Sequence, residues 1–371
     1  MRLSRIAIAV IAAAAAMPAG AQSSVTLYGI IDVGYLYTNP DIGGSTNEIA
    51  DGIQSQSRFG IRGVERLTRD INAAFVLEGG ISADTGQSQQ SGRLFGRQAW
   101  LSLLARTGEF RMGRQYGLGY EYFLADTSPF GTTFRDAGTG NVFSSAAGRL
   151  ILDNVAMLRT GDFGGLSGAV GYSFNANGPE QAGMGNNASV WTAGARYRTR
   201  SFYGTVTYEN FNCPDTASGT TFNTCNSAMK DSQSHWQVAG SWEISAFRLY
   251  GMWALEENQF SFFAVTPAKK AYAYEVGIKV KLVGGELLAA YQGRDDDWNA
   301  NLDVWGIGFT YPFSRRTNLY TFVSDTSADD APTAQLVSGG QIVREGYTAS
   351  QIDAYRARDR LQFGVGLRHS F

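Results

Sequence analysis

The chain has 371 residues, a formal charge of −2, 45 glycines, 8 prolines and 17% charged residues. Glycine at about 12%, against an average near 7% and without excess proline, excludes collagen and low-complexity disorder. Two cysteines and two histidines rule out a disulfide-dense scaffold and leave little for a histidine metal site, and the lack of net positive charge argues against DNA or RNA as a partner.

The N-terminus reads as a secretory signal. Arg2 and Arg5 form a basic region, Ile6 to Met17 an apolar run too short to span a bilayer, and Ala19-Gly20-Ala21 a cleavage site, leaving 371 − 21 = 350 residues from Gln22 onward. Residues 1–21 are thus expected to be removed and 22–371 to form one exported domain without an internal boundary.

Beyond the signal, apolar residues recur with a period of two. Sixteen segments show it, at 24–37, 54–66, 71–82, 94–105, 109–115, 149–159, 165–174, 190–198, 202–210, 233–244, 247–256, 270–282, 286–293, 302–312, 317–324 and 360–371. Trp236, Val238, Trp242 and Ile244 oppose His235, Gln237, Ser241 and Glu243; Tyr272, Tyr274, Val276, Ile278, Val280 and Leu282 oppose Glu275, Lys279 and Lys281; Leu361, Phe363, Val365 and Leu367 oppose Arg360, Gln362 and Arg368. Short turns, such as Arg106-Thr107-Gly108-Glu109 and Pro312-Phe313-Ser314-Arg315, alternate with long polar loops such as 38–53, 211–232 and 325–359.

An even number of strands of about ten residues, joined alternately by short and long connections, predicts an all-β fold: a sixteen-stranded antiparallel transmembrane β-barrel. A bilayer core offers no water to unpaired amides, so only a sheet closed on itself can cross it with strands. Alternation on a single strand also suits a soluble sandwich, whose apolar faces meet inside. Export, the number of segments, a terminal Phe371 and a girdle of strand-end aromatics (Tyr28, Tyr35, Trp191, Tyr197, Tyr208, Trp242, Tyr311) favour the bilayer.

A barrel of this size holds an aqueous lumen. The connection from Gln115 to Gly148 carries Phe123, Phe130, Phe134 and Phe143, and a loop that apolar is expected to fold onto protein, either into the lumen as a constriction or as an outer cap or subunit contact. In an exported chain Cys213 and Cys225 could be a disulfide clip on their loop or two free thiols.

Several stretches resemble the general trimeric porins of the Gram-negative outer membrane, especially their betaproteobacterial branch. They are Ser24-Val25-Thr26-Leu27-Tyr28-Gly29, Ser57-Arg58-Phe59-Gly60-Ile61-Arg62-Gly63, Met112-Gly113-Arg114-Gln115, Thr160-Gly161-Asp162-Phe163-Gly164-Gly165-Leu166 and the ending Gly364-Val365-Gly366-Leu367-Arg368-His369-Ser370-Phe371. The resemblance spans essentially the whole chain. It implies a sixteen-stranded barrel with the third long loop folded into the lumen opposite a ladder of wall arginines, a homotrimer in outer-membrane lipid and lipopolysaccharide, passive diffusion of ions and small hydrophilic solutes, and no cofactor.

Carried over position by position, the ladder falls on Arg58 and Arg114, on Arg149 after the third loop, and, in the betaproteobacterial branch, on Arg97 and Arg135. Alternation independently places Arg58 and Arg62 opposite Phe59 and Ile61. Arg97 shares the parity of Leu101 and Leu103, and Arg114 that of Phe110 and Met112, so each needs a bulge or strand end to turn inward. Where many relatives carry Pro-Glu-Phe in the third loop this chain has Ser128-Pro129-Phe130, which leaves Asp126 as the loop's candidate acid, and Ile30 replaces a basic position of some relatives. Arginines in excess over acids at a narrowing predict a preference for anions.

Two other readings compete. An outer-membrane hydrolase would need a nucleophile and base, yet no G-x-S-x-G, H-E-x-x-H or G-x-x-x-x-G-K-[ST] occurs, and neither His235 nor His369 is obviously placed beside a serine and an acid. A solute-specific channel for organic anions would show much the same arginines as a general one.

Overall fold

An alternating strand satisfies its backbone only through its neighbours, and here every long strand finds two. In a computed structural model the described residues are 24–124, 127–143, 151–183, 185, 187–213, 232–259, 268–296, 301–328, 336–337, 341–342 and 358–371. The sixteen barrel strands are β1 (Ser24–Pro40), β2 (Arg58–Arg66), β3 (Ile71–Ser82), β4 (Gln98–Ala105), β5 (Gly108–Tyr116), β6 (Ile151–Thr160), β7 (Leu166–Ser173), β8 (Ser189–Arg198), β9 (Phe202–Asn212), β10 (Gln233–Ile244), β11 (Phe247–Gln259), β12 (Ala268–Leu282), β13 (Gly285–Asp296), β14 (Leu302–Pro312), β15 (Thr317–Ala328) and β16 (Arg360–Ser370). Each pairs antiparallel with its sequence neighbours, and short extra strands such as Thr46–Asp51, which pairs with β1, decorate the long loops.

Closure is made by β1. Its first half pairs with β2, from Ser24 against Val64 to Ile30 against Arg58, and its second half with β16, from Ile30 against Ser370 to Pro40 against Arg360. None of the sixteen barrel strands is therefore left as an edge with unpaired amides along its length. At the seam Gly29 and Phe371 exchange backbone hydrogen bonds of 3.2 and 3.1 Å, and a side chain at position 29 would meet the Phe371 ring at 2.3 Å. The terminal aromatic therefore needs glycine beneath it.

The faces are inverted relative to a soluble protein. On β10, Trp236, Val238 and Trp242 are 47%, 50% and 54% exposed, while Gln233, His235, Gln237 and Ser241 on the other parity are buried. A sandwich would bury the tryptophans; an outer surface of Trp, Val, Leu and Phe with a polar interior suits hydrocarbon outside and water-accessible space inside.

Sequence and structure differ in three instructive places. The second and fourth strands begin later than expected, at Arg58 and Gln98. Residues 54–57 leave the ladder because the Ser55 amide donates to the Asp32 carboxylate at 2.5 Å and the Ser57 hydroxyl accepts from the Asp32 amide at 3.0 Å; Arg97, just ahead of the fourth strand, keeps its amide on the Glu78 carbonyl at 3.0 Å and puts Nε on the Glu78 carboxylate at 2.8 Å. Tyr28 is not part of the girdle. It lies opposite in parity to the exposed Val25 and Leu27, its hydroxyl donates to Glu78 at 2.9 Å, and Arg62 sits over its ring at 5.3 Å.

Candidate functional site

The third long loop crosses much of the buried face, and its four phenylalanines are all buried. At its start the Leu118 amide donates to Thr192 and the Gly119 amide to Glu209, each at 3.1 Å, and Leu118 and Tyr122 pack with Val155, Met157, Val190 and Phe211. Phe123, Leu124, Val142 and Phe143 pack on Ala239, Ala254, Ala273 and Val304, from β10, β11, β12 and β14. Phe130, Phe134 and Ala137 pack on Leu288, Tyr320 and Phe322, and Ala137 lies so close to Gly306 that a side chain there would meet it at 2.8 Å. Apolar or small residues at positions whose parity is otherwise polar thus mark the loop's footprint.

Two ion pairs pin the loop. Asp136 receives the Arg360 guanidinium through both oxygens at 2.5 and 2.6 Å, while Thr326 donates to it at 3.2 Å. Near the other end Glu121 is gripped by Arg159 through two hydrogen bonds, one of 2.6 Å. Burial alone raises the Glu121 carboxyl, but its hydrogen bonds to Arg159 and the charges of Arg159, Arg111 and Arg196 more than offset this and hold it below the ordinary carboxylate range. A carboxyl depressed in the folded state stabilises above its unfolded value, about 4.3, and that contribution fades as pH falls through the folded value. Single-channel current noise is therefore expected to be flat in this respect between pH 5 and 8 and to grow below about pH 4, and Glu121→Gln should remove that acid step.

Between these anchors Phe134 and Arg135 adopt left-handed backbone, at φ of 66° and 52°, where non-glycine residues are strained. The Phe134 amide bonds to the Ile53 carbonyl and its ring meets Tyr320 and Phe322 edge-on at 5.6 and 5.8 Å. So braced, Arg135 borders a cavity of about 680 Å³ with Glu48, Asp51 and Arg360. A second cavity of about 310 Å³ is bordered by Arg58, Arg97, Tyr116 and Tyr120. Gln56, Thr132 and Thr133 line both.

The residues singled out from sequence fall into different situations. Arg58 and Arg97 share the smaller cavity, and Arg135 borders the larger. Arg97 is buried, with Nε on Glu78 at 2.8 Å and its terminal nitrogens on Gln56 and the Tyr116 hydroxyl, so its charge is balanced. Arg114 turns inward at a register shift between Gly113 and Gln115 and meets Asp153 at 2.5 Å. Arg62 is exposed beside Tyr28. Among the described residues Arg58, Arg62 and Arg135 have no carboxylate partner within ion-pair distance. Asp126 and Arg149 lie outside the described residues; Cys213 is disulfide-bonded, and Cys225 likewise lies outside them.

Glu78, Glu121, Asp136, Arg159 and Arg360 were not singled out from sequence. For Arg360 a signal exists, a charge on the polar parity of the last strand; for Asp136 only its place beside Arg135.

Comparison with known proteins agrees with this architecture. Residues 7–331 match the family model described as Gram-negative porin. Outer membrane porin protein 32 of Delftia acidovorans is 30% identical over 383 aligned positions covering 100% of both chains, and an outer membrane porin protein of Bordetella pertussis is 29% identical over 82% of this chain and 89% of its own length. Among solved structures, an anion-selective porin from Comamonas acidovorans superposes with a TM-score of 0.69 at 21% identity, over 94% of this chain and 100% of that one. The trimer form of OmpT from Vibrio cholerae gives 0.61 at 14% identity, over 94% and 99%. The chain therefore belongs to the Gram-negative porin family and is an outer-membrane channel protein, not an enzyme.

Proposed function

We propose that the chain is a diffusion channel for small hydrophilic solutes that prefers anions, assembled as a homotrimer among outer-membrane lipid and lipopolysaccharide. In this reading the third long loop lies within the barrel and narrows the path to the side of β1 to β5, where Arg58 faces Thr132 and Thr133. The observation that carries it is the smaller cavity, whose described lining holds Arg58 and Arg97 and no carboxylate, whereas Arg135 and Arg360 share the larger one with Glu48, Asp51 and Asp136. Arg97 is offset by Glu78, and Arg114 shares Asp153 with Arg93, whereas Arg58, Arg62 and Arg135 have no carboxylate within ion-pair distance among the described residues. Asp126 and Arg149 would add one acid and one base to the same narrowing.

The preference is supported by the anion selectivity named for the Comamonas structural relative, and the trimer by the form described for the Vibrio one. Purified protein in a planar bilayer under a KCl gradient should give a reversal potential of the sign that favours chloride. A cation-favouring sign would refute the selectivity and leave the barrel untouched.

A further inference from the structure

The smaller cavity combines two features that a sieve for inorganic ions does not need. Tyr116, at the end of β5, and Tyr120, in the first turn of the third loop, stack with ring centroids 4.3 Å apart and planes 21° apart. Both rings are half-buried and border the cavity of about 310 Å³, at the small end of the range of about 300–1,000 Å³ for ligand pockets. Arg58 borders it too, and its recorded hydrogen bond is from Nε to the Gln56 carbonyl at 3.0 Å, with no carboxylate partner among the described residues. Arg97 has a different part. Its Nε is on Glu78 and its terminal nitrogens on Gln56 and the Tyr116 hydroxyl, so it fixes the edge of the first ring instead of offering charge to a solute.

We infer that this cavity is a selectivity site for aromatic carboxylates, the carboxylate meeting the Arg58 guanidinium while the ring lies against the Tyr116–Tyr120 stack. The inference rests on the channel reading above and names the solute class of that same path. Aromatic rings favour offset or edge-on contact with one another beyond the area they bury, whereas a saturated ring of the same carbon count gains only from burial. Cyclohexanecarboxylate is the greasier of the two acids, so a benzoate advantage reports stacking and not hydrophobicity.

The test is partial block of chloride current through the trimer in a planar bilayer by benzoate and by cyclohexanecarboxylate at neutral pH, where both carry one negative charge. Benzoate should half-block at a concentration about three- to tenfold lower. Tyr120→Leu should bring that ratio to about one, and Tyr120→Phe should keep it. Equal block by the two acids in the unaltered protein, or a benzoate advantage that survives Tyr120→Leu, overturns the aromatic site and spares the channel reading. Absence of any conductance overturns the channel reading itself. If Tyr120→Leu forms no channels, the two acids on the unaltered protein decide alone.

Discussion

Replacing Arg58 with serine is expected to lower the chloride-to-potassium permeability ratio about three- to tenfold, and replacing Arg135 to do the same. A guanidinium about 6 Å from a passing ion contributes roughly 0.7 kcal/mol in a water-like dielectric. It acts with opposite sign on anion and cation, so the ratio carries about twice that, and screening over about 10 Å at 0.1 M trims it to the stated range. Neither arginine is in an ion pair among the described residues, so each substitution removes a positive charge and strands no buried ion-pair partner, with Arg135 standing in a cavity that also holds Glu48 and Asp51. Reversal potentials across a KCl gradient measure the effect. An unchanged ratio in both variants would demote the two residues to solvated bystanders and move selectivity elsewhere in the path.

Arg97→Ala has a different expected result, a loss of about 3–5 kcal/mol of barrel stability, because Arg97 and Glu78 are 2% and 4% exposed and 2.8 Å apart. Deleting one member leaves the other charged and buried, and here it also frees the Tyr116 hydroxyl and the Gln56 amide that Arg97 holds. Replacing both members, as Arg97→Met with Glu78→Gln, removes the stranded charge. It should recover more than half of the loss and leave the permeability ratio close to that of the unaltered protein, since the pair is neutral. Urea unfolding of protein refolded into lipid vesicles, followed by tryptophan fluorescence, supplies the comparison. If the double variant is as unstable as the single one, the two residues act independently and the ion pair is not what the buried site depends on.

The sixteen strands, the alternation of short and long connections and the outward placement of Trp236, Trp242, Leu367 and Phe371 were legible from residue order alone. Period two is a property of one extended strand, and its repetition needs no knowledge of neighbours. The same rule, applied strictly, would have turned Tyr28 inward, since it lies opposite in parity to Val25 and Leu27. The burial of Phe123, Phe130, Phe134 and Phe143 was legible too, because a connection that apolar must lie on protein.

The charges were not legible. That Arg97 is spoken for by Glu78, and Arg114 by Asp153, depends on which side chains closure brings together, and the Asp136–Arg360 anchor joins residues 224 positions apart. A sequence determines how many arginines a channel wall carries and on which parity. Which of them keep their charge for a solute is decided only when the sheet closes and the third loop settles on it, because neutralisation acts over a few ångströms through space and leaves no period along the chain.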